Sequence, residues 1–261
     1  MHRFPYCQLI AAVLLCSPAL PLRAEAETAL RLASDDWCPY ICSEDGKITG
    51  GFLVDVTARA MALSGYQVDA VLRPLNRAIL ETVHGNIQGV YAPPLDQRLR
   101  LSAVIAYSRA CFYTRIENSW TYHGLASLAK HKLGVIEDYG YDDGPMDAYI
   151  ARYQQHADLI ERNFGDSAGT ANLQKLLMGR YPVILEHEAV LLKLSKQQNA
   201  TQRIRQAGCL EQMLPLTIGF AKNDARNEAW IHALDQGLHQ LDASGEIKAL
   251  RLRYEIPSPN P

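Results

Sequence analysis

Cys38, Cys42, Cys111 and Cys209 are the first residues whose type and spacing imply chemistry. An even set of thiols in an oxidising compartment favours disulfides, and four thiols allow three pairings. The favoured pairing is Cys38–Cys42, a tight loop around Pro39, with Cys111–Cys209 as a long-range staple. A zinc site is the alternative, but Cys38-x3-Cys42 has no matching His or Cys pair at ligand spacing later in the chain. Acid and base side chains cluster at Glu186-His187-Glu188, and guanidinium forks, able to hold both oxygens of a carboxylate, occur at Arg77, Arg98 and Arg100. His-Glu-x-x-His, the phosphate loop and the dinucleotide fingerprint are all absent.

These residues sit in a chain of 261 residues with 26 Lys+Arg against 28 Asp+Glu, a formal charge of −2. That balance offers no basic face for nucleic acid. With 48% hydrophobic and 21% charged residues the composition is that of a globular protein of one large or two small domains. The first 26 residues read as a cleaved secretory leader: a basic start, an apolar run over Leu9–Leu20, and small residues in Ala24-Glu25-Ala26. As a membrane anchor the run is short and is interrupted by Ser17, Pro18 and Pro21. Cleavage would remove Arg3, Arg23 and Glu25, leaving 24 − 27 = −3.

Beyond the leader the hydrophobic period switches repeatedly between strand and helix. A strand is expected at Ala29–Ala33. Phe52, Val56, Ala60 and Leu63 recur at helical spacing, and further helices are expected at Asn76–His84, Leu125–Lys130, Met146–Gln155, Ala171–Met178, Ala189–Lys196 and Arg226–Ala243. Short apolar runs between them, such as Gly89–Ala92, Lys132–Ile136 and Tyr181–Leu185, read as strands, and Pro93–Arg100 as a polar turn. Such β-α alternation implies largely parallel sheets covered by helices, here two α/β units joined by extended segments near 110–117 and 215–221.

The order and local motifs resemble the periplasmic solute-binding proteins of polar amino-acid importers, bacterial extracellular solute-binding protein family 3. The stretches that carry the resemblance are Asp36-Trp37-Cys38-Pro39-Tyr40, Gly50-Gly51-Phe52-Leu53-Val54-Asp55, Gly85-Asn86-Ile87-Gln88-Gly89 and Asp96-Gln97-Arg98-x-Arg100 followed by Ala106-Tyr107-Ser108. Lys132-Leu133-Gly134-Val135-Ile136, Leu176-Leu177-Met178-Gly179-Arg180, Ile218-Gly219-Phe220-Ala221-Lys222 and Gly245-Glu246-Ile247 extend it to the end of the chain. What the resemblance implies is an α/β, two-lobed periplasmic-binding-protein type II fold, each lobe a mostly parallel sheet flanked by helices, with two hinge strands. Lobe 1 would run 27–112, lobe 2 113–217, and the return to lobe 1 218–261. The implied function is binding of a small carboxylate-bearing solute, an amino acid or a relative, by a monomeric periplasmic protein that delivers it to the membrane permease of an ABC importer, without cofactor or metal.

The same resemblance assigns site roles. Arg98, with Arg100 as the fallback, is expected to hold the carboxylate, and Arg77 to give a second anion contact. Trp37 and Tyr40 are expected to wall the cleft. Tyr139 follows a second-lobe strand near a helix start whose N–H groups attract anions, although Asp138 stands where the family usually has glycine. His187 occupies the register at which the family's aspartate holds an ammonium group, leaving that duty to Glu186 or Glu188, or pointing to a solute that is not an ordinary α-amino acid. Two other readings remain: a periplasmic dehydratase of a cyclic carboxylic acid, using Glu186 and His187 with an Arg98 clamp, and a sensor that passes its closed state to a membrane receptor.

Overall fold

The computed structural model describes residues 1–2, 29–165 and 167–257. The expected leader therefore lies almost wholly outside the described residues. Among the described residues no helix is long and apolar enough to cross a membrane.

The first lobe begins with β1 (Leu30–Ser34), a hairpin of β2 (Cys42–Glu44) and β3 (Lys47–Gly50), α1 (Phe52–Ala62) and β4 (Val68–Leu72). It continues through α2 (Leu75–Val83), β5 (Gly89–Tyr91) and β6 (Leu99–Leu101) to β7 (Ala106–Ser108). The second lobe holds β8 (Ala110–Arg115), β9 (Leu133–Ile136), α3 (Pro145–Tyr153), β10 (Ile160–Asn163), α4 (Ala168–Leu177), β11 (Val183–His187), α5 (Glu188–Gln197) and β12 (Ile204–Cys209). The chain returns through β13 (Leu214–Leu216) to β14 (Ile218–Ala221), α6 (Asn227–Ala243) and α7 (Glu246–Arg253).

Each lobe is built on one five-stranded sheet, ordered β4-β1-β5-β14-β6 and β10-β9-β11-β8-β12. Both are mixed. In each, the first three strands run parallel and the remaining two pair antiparallel. The antiparallel strands come from chain that crosses between lobes, which is why a reading from β-α alternation alone expects more parallel pairing than is present.

The crossing itself is the antiparallel pair β7–β13, with Leu214 opposite Ser108 and Leu216 opposite Ala106. It lies ahead of the expected segment near 110–117, because Ala110 to Tyr113 are all buried and a strand apolar on both faces belongs inside a sheet. The expected polar turn over Pro93–Arg100 likewise ends in β6, an edge strand pinned by its ladder to β14. The stretch at Leu125–Leu128 is a single 3-10 turn, not an α-helix.

Helices cover both faces of each sheet. In the first lobe α1 buries Phe52, Leu53, Val56, Ala60 and Met61 at helical spacing against α6, and α2 packs Leu75, Ala78 and Ile79 on the opposite face. Gly237 is required where α6 crosses α1, since a Cβ there would strike the backbone of Ala60. In the second lobe Phe112, Leu133, Val135 and Leu185 face α3, while Leu173, Leu176 and Leu191 from α4 and α5 cover the other side. Both expected disulfides are present, Cys38–Cys42 and Cys111–Cys209. They use all four cysteines among the described residues and leave the zinc alternative without thiolates there.

Candidate functional site

A helix start leaves backbone N–H groups without partners, and at α1 the preceding loop supplies them. Phe52 N–H donates to the Pro39 carbonyl at 2.9 Å and Leu53 N–H to the Tyr40 carbonyl at 3.0 Å. Gly51, at φ 127°, makes this approach possible, because a side chain there would collide with the Tyr40 backbone. The Cys38–Cys42 disulfide and the Trp37–Ile41 bridge close the loop, and Asp36 accepts the Ser43 N–H at 2.7 Å. The loop therefore holds Trp37 and Tyr40 stiffly just past the carboxyl end of β1.

The two rings play different parts. Trp37, 7% exposed, lines a small cavity between the lobes together with Ser34, Asp35, Leu75, Tyr139 and Gly140. Tyr40 is buried beneath it, ring centroids 4.6 Å apart, and does not line this cavity. A larger cavity of about 150 Å³ shares Asp35, Leu75 and Tyr139 with the first and continues past Asp36, Asn76, Asp138, Phe164 and Gly169. The walls come from the ends of β1 and β4 in one lobe and of β9 and β10 in the other. Open α/β sheets present ligand sites at such strand ends.

Across the cleft, Asp138 adopts φ 64°, the left-handed conformation that glycine takes freely and that other residues adopt at a cost. Its carboxylate accepts a 2.5 Å hydrogen bond from Asn76 Nδ2 of the opposite lobe. The helix start beyond it is already filled. Asp142 accepts the N–H groups of Gly144, Met146 and Asp147, and Asp147 accepts those of Tyr141, Asp142 and Asp143. The donors that the sequence suggested for an anionic ligand are held by the chain's own carboxylates.

His187, the last residue of β11, is fully buried where the lobes meet. Its Nε2 lies 3.0 Å from the Gly140 carbonyl, which can only accept, so Nε2 carries the proton and Nδ1 accepts from Ser108 Oγ at 2.8 Å. Ser108 in turn meets the Tyr40 hydroxyl, so one chain of hydrogen bonds joins first lobe, hinge strand and second lobe. Trp37 packs edge-on against the imidazole at 4.9 Å and Tyr141 stacks on it at 5.5 Å. Burial pushes the imidazole down to about 4, so it is neutral at physiological pH. It joins the lobes and lines neither of these cavities.

Glu186, 1% exposed, receives the His187 N–H on Oε1 at 2.9 Å. Its Oε2 stands behind Gly169 of the cavity wall, 3.8 Å from where a Cβ on that glycine would lie. Burial drives its carboxyl up to about 8, so it is protonated at neutral pH.

The three arginines are held elsewhere. Arg98, half-exposed, grips Asp96 with Nε and Nη2; Arg100 pairs with Glu228 of α6 at 2.7 Å; Arg77 pairs with Glu81 one turn along α2 at 2.7 Å. None lines either cavity beside Trp37 and Tyr139. The placement has local causes: Asp96-Gln97-Arg98 closes on itself as a turn, and edge strand β6 leaves the Arg100 side chain exposed beside Glu228. Arg98 thus pairs within its own turn of the first lobe, while Glu186 and His187 close the second-lobe strand β11. Sequence reasoning missed Asp35, Asn76 and Phe164 as wall residues. Their signal was position alone, within a few residues of the carboxyl ends of β1, β4 and β10.

Two mixed α/β sheets, joined by a pair of crossing strands and facing each other across a cleft, define the fold of the bilobed periplasmic binding proteins. No family model and no curated protein matches the chain. Solved structures do. A histidine kinase sensor domain with similarity to periplasmic binding proteins superposes with TM-score 0.72 at 15% identity, over 88% of this chain and 96% of that one. An ancestral arginine-binding protein bound to arginine gives TM-score 0.69 at 19% identity, over 88% and 99%. An amino acid ABC transporter substrate-binding protein from Streptococcus pneumoniae bound to L-arginine gives 0.66 at 16%, over 87% and 94%. At these identities the likeness establishes the fold.

Proposed function

We propose that this chain is an exported solute-binding protein that shuts its lobes on one small polar molecule and presents the closed form to the permease of an importer. One observation carries the reading. The strand ends of both sheets converge on a shared cavity, and the chain crosses between the lobes on either side of it at the pair β7–β13, about which they can close. Closure would bury the solute on both sides and replace its water with fixed polar groups.

The test is a thermal-shift screen of refolded, ligand-stripped protein. A solute that binds only the native state raises apparent stability by RT ln(1 + [L]/Kd), about 2.7 kcal/mol at a hundredfold excess over Kd. One arm holds amino acids, opines and cyclic acids, the carboxylate-bearing solutes that the arginine turn suggests; the other holds organic cations. Absence of any stabilising solute in both arms would refute the reading. Conversion of the best hit, followed by mass, would move it to an enzyme. The likeness to a kinase sensor domain favours one further reading, a sensor with the same binding chemistry. Capture of a membrane kinase in place of a permease by the solute-loaded protein separates the two.

A further inference from the structure

Resting on that cleft-binding reading, we propose that the cleft takes a small organic cation with a neutral hydrogen-bond acceptor and no carboxylate. The charge of the wall comes first. Asp35, Asp36, Glu137 and Asp138 line the cavities, Glu137 pairing with Arg162 at 2.6 Å, and among the described residues no lysine or arginine lines either space. A ligand carboxylate would lose its water beside these like charges with no cationic partner, an arrangement that disfavours the ionised form. The start of α3 gives such a carboxylate no donors either, because Asp142 and Asp147 occupy its N–H groups.

The second observation points to the ligand's polar end. The Trp37 indole N–H is buried and meets no hydrogen-bond partner among the described residues, and the ring lines a space of about 20 Å³, room for one oxygen-sized group. A buried indole N–H calls for an acceptor. That acceptor is neutral by the charge argument above: a hydroxyl, ether or carbonyl oxygen. The third observation is aromatic. Trp37 and Tyr139, one from each lobe, meet edge to face with centroids 6.1 Å apart on the same cavity, and aromatic ring faces attract ammonium groups.

Two matched pairs test this by calorimetric titration of the refolded, ligand-stripped chain. Choline and glycine betaine share a trimethylammonium group but differ in hydroxyl against carboxylate; L-argininamide and L-arginine differ in neutral amide against carboxylate. The expected result is that, in at least one pair, the carboxylate-free member binds with a roughly tenfold or greater lower Kd. Trp37→Phe, which keeps the ring and removes the donor, should raise that Kd roughly tenfold. Asp36→Asn, which keeps an oxygen for the Ser43 N–H, should weaken binding and flatten its dependence on salt. Tighter binding of the carboxylate member in both pairs, or an unaltered Kd in Trp37→Phe, overturns the proposal. Cations that fail to bind while amino acids, opines or cyclic acids stabilise the protein overturn it too, and leave the cleft-binding reading standing. If neither class stabilises the protein, both fall.

Discussion

Glu186→Gln should remove most of the protein's loss of stability on the alkaline side. Burial pushes the Glu186 carboxyl up from 4.5 to about 8, so the native state keeps its proton across a range where the unfolded chain has released it. The stability this group contributes is whole below 4.5 and is lost as pH rises through about 8. At 1.36 kcal/mol per pH unit, that span is worth about 5 kcal/mol, a large share of a typical domain's 5–15 kcal/mol. His187 acts in the opposite sense: burial lowers it from 6.5 to about 4, so its contribution is whole above 6.5 and lost as pH falls toward 4, a span worth about 3 kcal/mol. The two slopes offset one another between about 4.5 and 6.5, where stability should be flat, and above 6.5 the Glu186 decline stands alone. Glutamine keeps an oxygen for the His187 N–H and never ionises. Urea melts of the wild type and Glu186→Gln, at fixed ionic strength from about pH 7 to about pH 9, should show the wild type falling while the variant stays level. Parallel curves would mean that Glu186 is ionised and solvated in the native state, and the buried-carboxyl reasoning would be wrong.

Other expectations follow from the same geometry. Replacing Cys111 and Cys209 by serine opens a loop spanning 98 residues and should cost about 4–5 kcal/mol, read from melts with and without reductant. Gly51→Ala combines a left-handed backbone with a collision at the Tyr40 carbonyl; a loss of roughly 2 kcal/mol and a displaced Trp37, seen as an indole fluorescence shift, are expected. Ser108→Ala leaves the buried Nδ1 of His187 without its donor and should cost about 1–3 kcal/mol in the same melts. Arg98→Ala and Arg100→Ala should leave the affinity of the best cleft ligand unchanged in calorimetry, since both side chains pair with carboxylates outside the cavities.

Periodicity made the scaffold legible. The spacing of Phe52, Val56 and Ala60 marks α1 because a helix buried on one face must repeat its apolar residues, and the two disulfides take the favoured one of the three pairings that four thiols allow. Three-residue strands such as β6 and β7 carry no period of their own and exist only through their partners β14 and β13, so they were invisible in advance. The site was partly legible. Trp37 could be placed in the cleft from its loop, but not the depth of Tyr40 under it, which depends on packing across the hinge. An arginine in a turn reads as an anion clamp until its partner is known. For Arg98 that partner is two residues away at Asp96, and for Arg100 it is Glu228, distant in sequence.

The central claim is that two lobes shut on a small solute, and solution scattering tests it most directly. Profiles should be recorded on ligand-stripped protein and again with a saturating amount of the best stabilising solute from the screen. A smaller radius of gyration and a changed interlobe feature are predicted on loading, as the lobes turn about β7 and β13. Superimposable profiles, with binding confirmed in the same samples, would contradict it.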